Sequence, residues 1–221
     1  MADLPPNVHI SRHPCVRAKL SQLRSRSVSA KVTKQLVHEI TLILATEALA
    51  ELDVTTTGTD ESPVGCTFDV ESILPQSITI VPILRSGLSM LDAVQTILPT
   101  DVSVHHLGLF REKATLQPVE YYNNLPQSKA AVAKLAIVVD PVIATGGTSI
   151  AAIQTLREWG VERIIFLAVL TARPGLIAAA DEWPEGTHIH AAGVDDSLND
   201  AGYIKPGLGD IGDRLFLTTA K

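Results

Sequence analysis

From Ser77 onward the chain repeats one texture: "SITIVPIL", "VSVHHLGLF", "AKLAIVVD", "RIIFLAVL" and "THIHAAGV" are short apolar runs set between helical or loop-like stretches. Runs of this length with few polar interruptions suit strands covered on both faces, since a half-exposed strand would alternate. Strands buried that way are joined by crossover helices, so the pattern predicts an α/β fold: an open, mostly parallel sheet flanked by helices. With 221 residues and 46% hydrophobic content, a single domain spanning 1–221 can bury a core of its own.

Upstream, residues 29–52 put Val32, Leu36, Ile40, Ile43 and Leu44 on one face with charges opposite, which predicts an amphipathic helix packed on the sheet. "DVTTTGTDESPVGCTFD" has the composition of a connecting loop or short hairpin and is assigned no function. "REKATLQPVEYYNNLPQ" has neither a helical period nor an apolar face, and reads as an excursion from the sheet, an arm or flap over 110–127. A net charge of -6 without a long run of Lys or Arg argues against a nucleic-acid or anionic membrane surface as the main partner. A small polyanion is still allowed, because local charge decides that. No apolar stretch approaches the roughly 18 residues of a membrane span, since "ITLILATEALA" is cut by Thr41, Thr46 and Glu47. Cys15 and Cys66 are far apart and the chain opens without an apolar signal core, so neither a disulfide framework nor a targeting peptide is expected, and the cytoplasm is the expected location.

"VVDPVIATGGTSI" carries the first chemistry. If the preceding run is a strand, Asp140 stands at its carboxyl end, the edge where open α/β sheets bind ligands. Pro141, Val142, Ile143, Ala144, Thr145, Gly146, Gly147 and Thr148 then lead into a helical pattern at Ile150, Ile153 and Leu156. Small residues at a helix N-terminus expose N–H groups at its positive end, a phosphate cradle. An ordinary glycine-rich turn with a threonine cap fits the same residues. The carboxylate tips the balance: an acid beside a phosphate cradle repels the ligand unless it takes sugar hydroxyls, and a ribose 5-phosphate meets both demands.

That loop resembles the phosphoribosyl-pyrophosphate (PRPP) loop of phosphoribosyltransferases, and its Asp-Pro form resembles the uracil phosphoribosyltransferase family. "HPCVRAKLSQLR", "VPILRSGLSMLDAV", "REKATLQPVEYY" and "GYIKPGLGDIGDR" resemble segments of that family in the same order, from about His13 to the end. The resemblance implies that family's fold, with an N-terminal extension over 1–28, a β-arm, and a C-terminal hood loop over 193–213 that binds the base. It implies PRPP and uracil as substrates, Mg2+ bound mainly through substrate and water, GTP binding, and a homodimer or larger homo-oligomer.

Three further segments complete the expected site. Arg85 in "VPILRSGLSM" is either a surface arginine or, beside a glycine turn and a second helix N-terminus, an anion site. The resemblance makes it a pyrophosphate ligand on a loop of unusual backbone conformation. Arg111 is carried over as a second arginine on pyrophosphate, while Glu112 and Lys113 read as solvated and Tyr121 and Tyr122 as dimer contacts. In "AGYIKPGLGDIGDRLF", glycines let backbone groups project inward, as a flat base edge requires. The resemblance assigns Ile204, Gly209, Asp210 and Ile211 to uracil, and Asp210 also to PRPP. Asp213 is expected to pair with Arg214 or cap a turn. Ile211 stands where the family has Ala, and "SVSAKVTKQL" and Thr46 also depart from the family pattern. His188 and His190 share a strand face, but no third ligand lies at a convincing spacing, so no metal site is expected on protein ligands.

The implied reaction is transfer of the phosphoribosyl group to N1 of uracil, with Arg85, Asp140 and Asp210 as catalytic residues. The alternatives are a non-catalytic nucleotide or sugar-phosphate regulator of the same fold, and a phosphoribosyltransferase for another base.

Overall fold

All five apolar runs lie in one eight-stranded sheet in the computed structural model, which describes residues 3–111, 118–128 and 131–218. The first half of the chain forms β1 (Val8–Ile10), α1 (Pro14–Leu23), α2 (Ala30–Leu49), β2 (Asp53–Glu61), β3 (Thr67–Leu74), β4 (Ile78–Leu84), α3 (Leu88–Ile97), β5 (Ser103–Val104), β6 (Leu107–Arg111) and β7 (Pro118–Asn123). The second half forms β8 (Leu135–Val139), β9 (Val142–Ile143), α4 (Gly147–Trp159), β10 (Arg163–Ala168), β11 (Leu170–Ala172), α5 (Arg173–Glu182), β12 (Thr187–Ala191), β13 (Val194–Asp195), β14 (Ser197–Leu198), β15 (Ile204–Lys205) and α6 (Ile211–Phe216).

The sheet order is β1-β12-β10-β8-β4-β6-β7, with β5 also beside β4. Every pairing in it is parallel except β6 with β7. Both faces are covered, as uninterrupted apolar strands require. On one face Ile80, Ile137, Val139 and Leu167 pack with α1, α2 and α3; on the other Val81, Ala136, Val138 and Phe166 pack with α4 and α5. Beyond their C-terminal ends β8, β10 and β12 continue after short breaks as β9, β11 and β13, a small parallel sheet in the same lateral order.

Several elements differ from expectation. In α2 the buried stripe is Thr33, Leu36, Val37, Ile40, Thr41, Leu44, Ala45 and Ala48, while Val32 is 41% exposed. Thr41 enters this stripe by turning its hydroxyl back on the helix, Oγ1 donating to the Val37 carbonyl at 2.7 Å, whereas the buried Thr33 hydroxyl has no partner among the described residues. Residues 53–74 form a long hairpin, paired from Asp53 opposite Leu74 to Glu61 opposite Thr67 with one register shift between Thr56 and Gly58, rather than a loop or short hairpin. The arm does not simply leave the sheet: β7 returns antiparallel along β6 as an edge strand. "VSVHHLGLF" divides at His105 and His106, and the His105 N–H still bonds the Ile80 carbonyl at 3.0 Å. The N-terminal residues are built in, with β1 an edge strand and α1 burying Val16, Leu20 and Leu23. Among the described residues no helix is long and apolar enough to cross a membrane.

β4 and β8 are sheet neighbours whose following helices go to opposite faces, α3 to one and α4 to the other. Their carboxyl-end loops therefore diverge, and a crevice opens between them. This is the topological switch point at which such sheets bind ligands.

Candidate active site

The crevice is a cavity of about 560 Å³. Arg85 and Ser86 enter it from the β4–α3 loop, Asp140, Val142 to Gly146 and Thr148 from the β8–α4 region, Tyr121 from β7, and Ala201 to Tyr203 with Gly209 to Gly212 from the C-terminal loop. Asp140, Val142 to Gly146, Thr148, Arg85, Gly209, Asp210 and Ile211, which the sequence singles out, thus line one cavity. Pro141, Gly147 and Ile204 are not on the cavity wall. Pro141 is buried and its carbonyl accepts the Val169 and Leu170 N–H groups, and Ile204 is 8% exposed and packs in the core.

Gly146 fixes the shape of the loop that leads into α4. It has φ +87° and precedes α4, and a Cβ there would lie 2.6 Å from the Gly175 carbonyl oxygen. Only glycine accepts both conditions. No side chain caps this end of α4 and no acid lies in its first turn, so its leading N–H groups face the cavity without an internal acceptor. Burial of Ala152, Ile153 and Leu156 holds the helix against the sheet, giving the amides a fixed aim.

Asp140 is 7% exposed. Ser86 Oγ donates to its Oδ1 at 3.0 Å, linking the two loops of the crevice. Burial pushes its carboxyl up to about 7, against the lowering effect of Ser86 and the Val142 amide.

The Leu84–Arg85 peptide is cis. Behind it, a Cβ on Gly87 would lie 2.3 Å from the Val139 carbonyl oxygen, so this loop is seated directly on the end of β8. The Arg85 guanidinium lies over the Phe216 ring, 5.7 Å from its centroid, at the cavity where it can meet an anion. Arg111 ends β6 opposite Pro118. The Arg111 side chain, Glu112 and Lys113 lie outside the described residues.

The C-terminal loop is held by a cluster that sequence reading does not find. Arg24, at the end of α1, forms a bidentate pair with Asp195, 2.7 Å on each arm, and its Nη1 also donates to the Gly207 carbonyl at 2.8 Å. The Gly207 N–H donates to Asp195 at 3.0 Å. Burial works to raise Asp195, but Arg24 and this amide hold its carboxyl below the usual range. Arg214 donates to the Leu23, Leu208 and Ser25 carbonyls instead of pairing with Asp213. Asp210 caps α6 by accepting the Asp213 N–H at 2.9 Å. Ile211 is 6% exposed, so the core takes most of its bulk even though it borders the cavity.

Ser86, Tyr121 and Tyr203 are cavity residues that the sequence does not single out as substrate contacts. Asp140 and Asp210 are the carboxylates on the wall among the described residues. One is buried on Ser86 and the other already caps a helix. So spare a donor set fits Mg2+ held chiefly by phosphate oxygens and water.

The family model for uracil phosphoribosyltransferase matches residues 10–218. The uracil phosphoribosyltransferase of Roseiflexus castenholzii is 44% identical over 211 residues, covering 96% of this chain and 98% of that protein. The uracil phosphoribosyltransferase of Listeria welshimeri is 39% identical over 212 residues, covering 96% and 99%. The solved AQ2163 protein from Aquifex aeolicus matches with TM-score 0.85 at 30% identity, over 97% of this chain and 100% of that one. Matched by that family model over nearly its whole length and 39–44% identical to these relatives, the chain belongs to the uracil phosphoribosyltransferase family.

Proposed function

We propose that this protein transfers the 5-phosphoribosyl group from PRPP to N1 of uracil, giving UMP and pyrophosphate. The observation that supports this most is the convergence of Asp140 and the uncapped start of α4 in one cavity, since a phosphorylated ribose needs both.

Breaking the C1–O bond leaves positive charge on the sugar and negative charge on the departing pyrophosphate. Catalysis rests on orientation and charge stabilisation, with no covalent nucleophile. The amides and hydroxyls of residues 144–148 hold the 5-phosphate. Asp140 takes ribose hydroxyls, and its carboxylate form lies close to the cationic sugar. Arg85, drawn from Phe216 towards the anion, stabilises the leaving group, with Arg111 as its partner from the arm. When bound, Mg2+ neutralises pyrophosphate charge. Backbone groups around Gly209 read the uracil edge under the Arg24-anchored hood. The reading carries with it a homo-oligomer and a cytoplasmic location.

The test supplies PRPP and Mg2+ with radiolabelled uracil, and in a parallel arm hypoxanthine. Labelled UMP with no product from hypoxanthine is expected; product from neither base would leave a regulator as the better reading. Arg85→Ala should lower kcat about a hundredfold with a smaller change in KM, because its charge partner develops in the transition state. An unchanged kcat would remove Arg85 from the leaving-group role.

A further inference from the structure

The sheet edge opposite β7 holds a cluster that the cleft does not use. β1 lies parallel to β12 with His9 directly opposite His190, and His188, two residues earlier on β12, shares that face. Glu51, just past α2, reaches the same point. Its Oε1 lies 3.2 Å from His190 Nε2 and 3.8 Å from His9 Nε2, and its Oε2 lies 3.2 Å from His188 Nδ1. Arg163, the first residue of β10, pairs with Oε2. The three imidazole nitrogens are buried atoms without an aligned hydrogen bond, a condition that calls for an explanation. The sequence shows only the two histidines of β12; the third comes from β1, about 180 residues away in the chain, through strand pairing.

We infer that His9, His188 and Glu51 form a binding site for a divalent transition-metal ion of the Zn2+ type, with His190 beside it and water completing the four ligands, which ties the N-terminal strand to β12 and the end of α2. Four ligands at about 2.0–2.1 Å from a tetrahedral ion stand about 3.4 Å apart. The donor atoms of His9, Glu51 and His188 all lie within 4.8 Å of one another, so small side-chain turns bring them to that separation. Imidazole nitrogens with one carboxylate favour zinc over the harder Mg2+. The donor nitrogens are buried, but the His9 and His188 side chains are 40% and 33% exposed, so these rings can turn to admit an ion from solvent, while His190 at 6% closes the inner side. Arg163 pairs with Oε2, the oxygen beside His188 Nδ1, and leaves Oε1 facing His9 and His190, so it orients the carboxylate from outside the site. β12 is separated from β8 by β10, so this site is distinct from the cleft.

The full-length protein, stripped with chelator, is titrated with Zn2+ by calorimetry and with Co2+ by visible absorption. One Zn2+ per chain and the intense bands of a tetrahedral Co2+ centre are expected, with a raised melting temperature. His9→Gln and His188→Gln, both at partly exposed positions, should each weaken Zn2+ binding at least tenfold and leave phosphoribosyl transfer unchanged, while Asp210→Asn should bind Zn2+ as the parent does. Absence of Zn2+ binding, or binding that survives both histidine variants, or binding lost in Asp210→Asn, would overturn the site.

Discussion

Asp140 enters the cleft buried, with the Ser86 hydroxyl as its side-chain donor. Its ordinary value of 3.8 is raised to about 7, so between those values the native state holds a proton that the unfolded chain has lost. Its contribution to stability is complete below the unfolded value and is lost as pH rises through about 7, an effect on the order of a few kcal/mol. Asp140→Asn keeps the shape and removes the titration. Against the parent without ligand, it should gain in relative stability as pH rises from about 4 to about 8, read from urea midpoints; a gap independent of pH would show that Asp140 is not the buried acid described. If Asp140 takes the ribose hydroxyls as proposed, the same variant should also bind PRPP more weakly. Gly146 carries a different constraint. Gly146→Ala must accept φ +87° and a 2.6 Å approach to the Gly175 carbonyl, and should lose about 2 kcal/mol or more together with 5-phosphate binding. A variant of parental stability would mean that the loop can relax.

At the level of elements, α1 acts on the cleft without touching it. Its terminal Arg24 clamps Asp195 and Gly207, and the hood that carries Gly209 to Gly212 hangs from that clamp. Arg24→Ala leaves a buried carboxylate unpaired, and should cost about 3 kcal/mol while raising KM for uracil more than KM for PRPP; equal rises in both would show that the clamp serves the whole cleft. The five strand runs are legible because their signal is local: apolar residues without alternation. The phosphate loop is legible for the same reason, since acid, small residues and helix start lie within ten residues of each other on the chain. The clamp is not, because Arg24 and Asp195 are separated by 171 positions and each alone looks like a surface charge. Nor is the α2 stripe fully legible, because Thr33 and Thr41 count as polar until the Thr41 hydroxyl is seen bonded to its own helix. The length of the β2–β3 hairpin is hidden in residues that are nearly all exposed and so leave no apolar pattern.

For the whole molecule, the position of the cleft follows from lateral strand order. β4 and β8 sit side by side while α3 and α4 cover opposite faces, and neither fact can be read from one strand's composition. Ser86, Tyr121 and Tyr203 meet at the cavity only because this topology brings together a strand loop, an edge strand and the hood. The same order puts β1 at the far edge, where the histidine cluster forms well away from the cleft. The central claim is that one phosphorylated pentose spans the gap between Asp140 and the start of α4. A crystal structure of the protein soaked with PRPP and Mg2+ tests it directly. The account predicts the 5-phosphate on the amides of residues 144–148, the ribose hydroxyls at Asp140, and the pyrophosphate towards Arg85. Density for PRPP elsewhere, or with the pyrophosphate on α4, would contradict it.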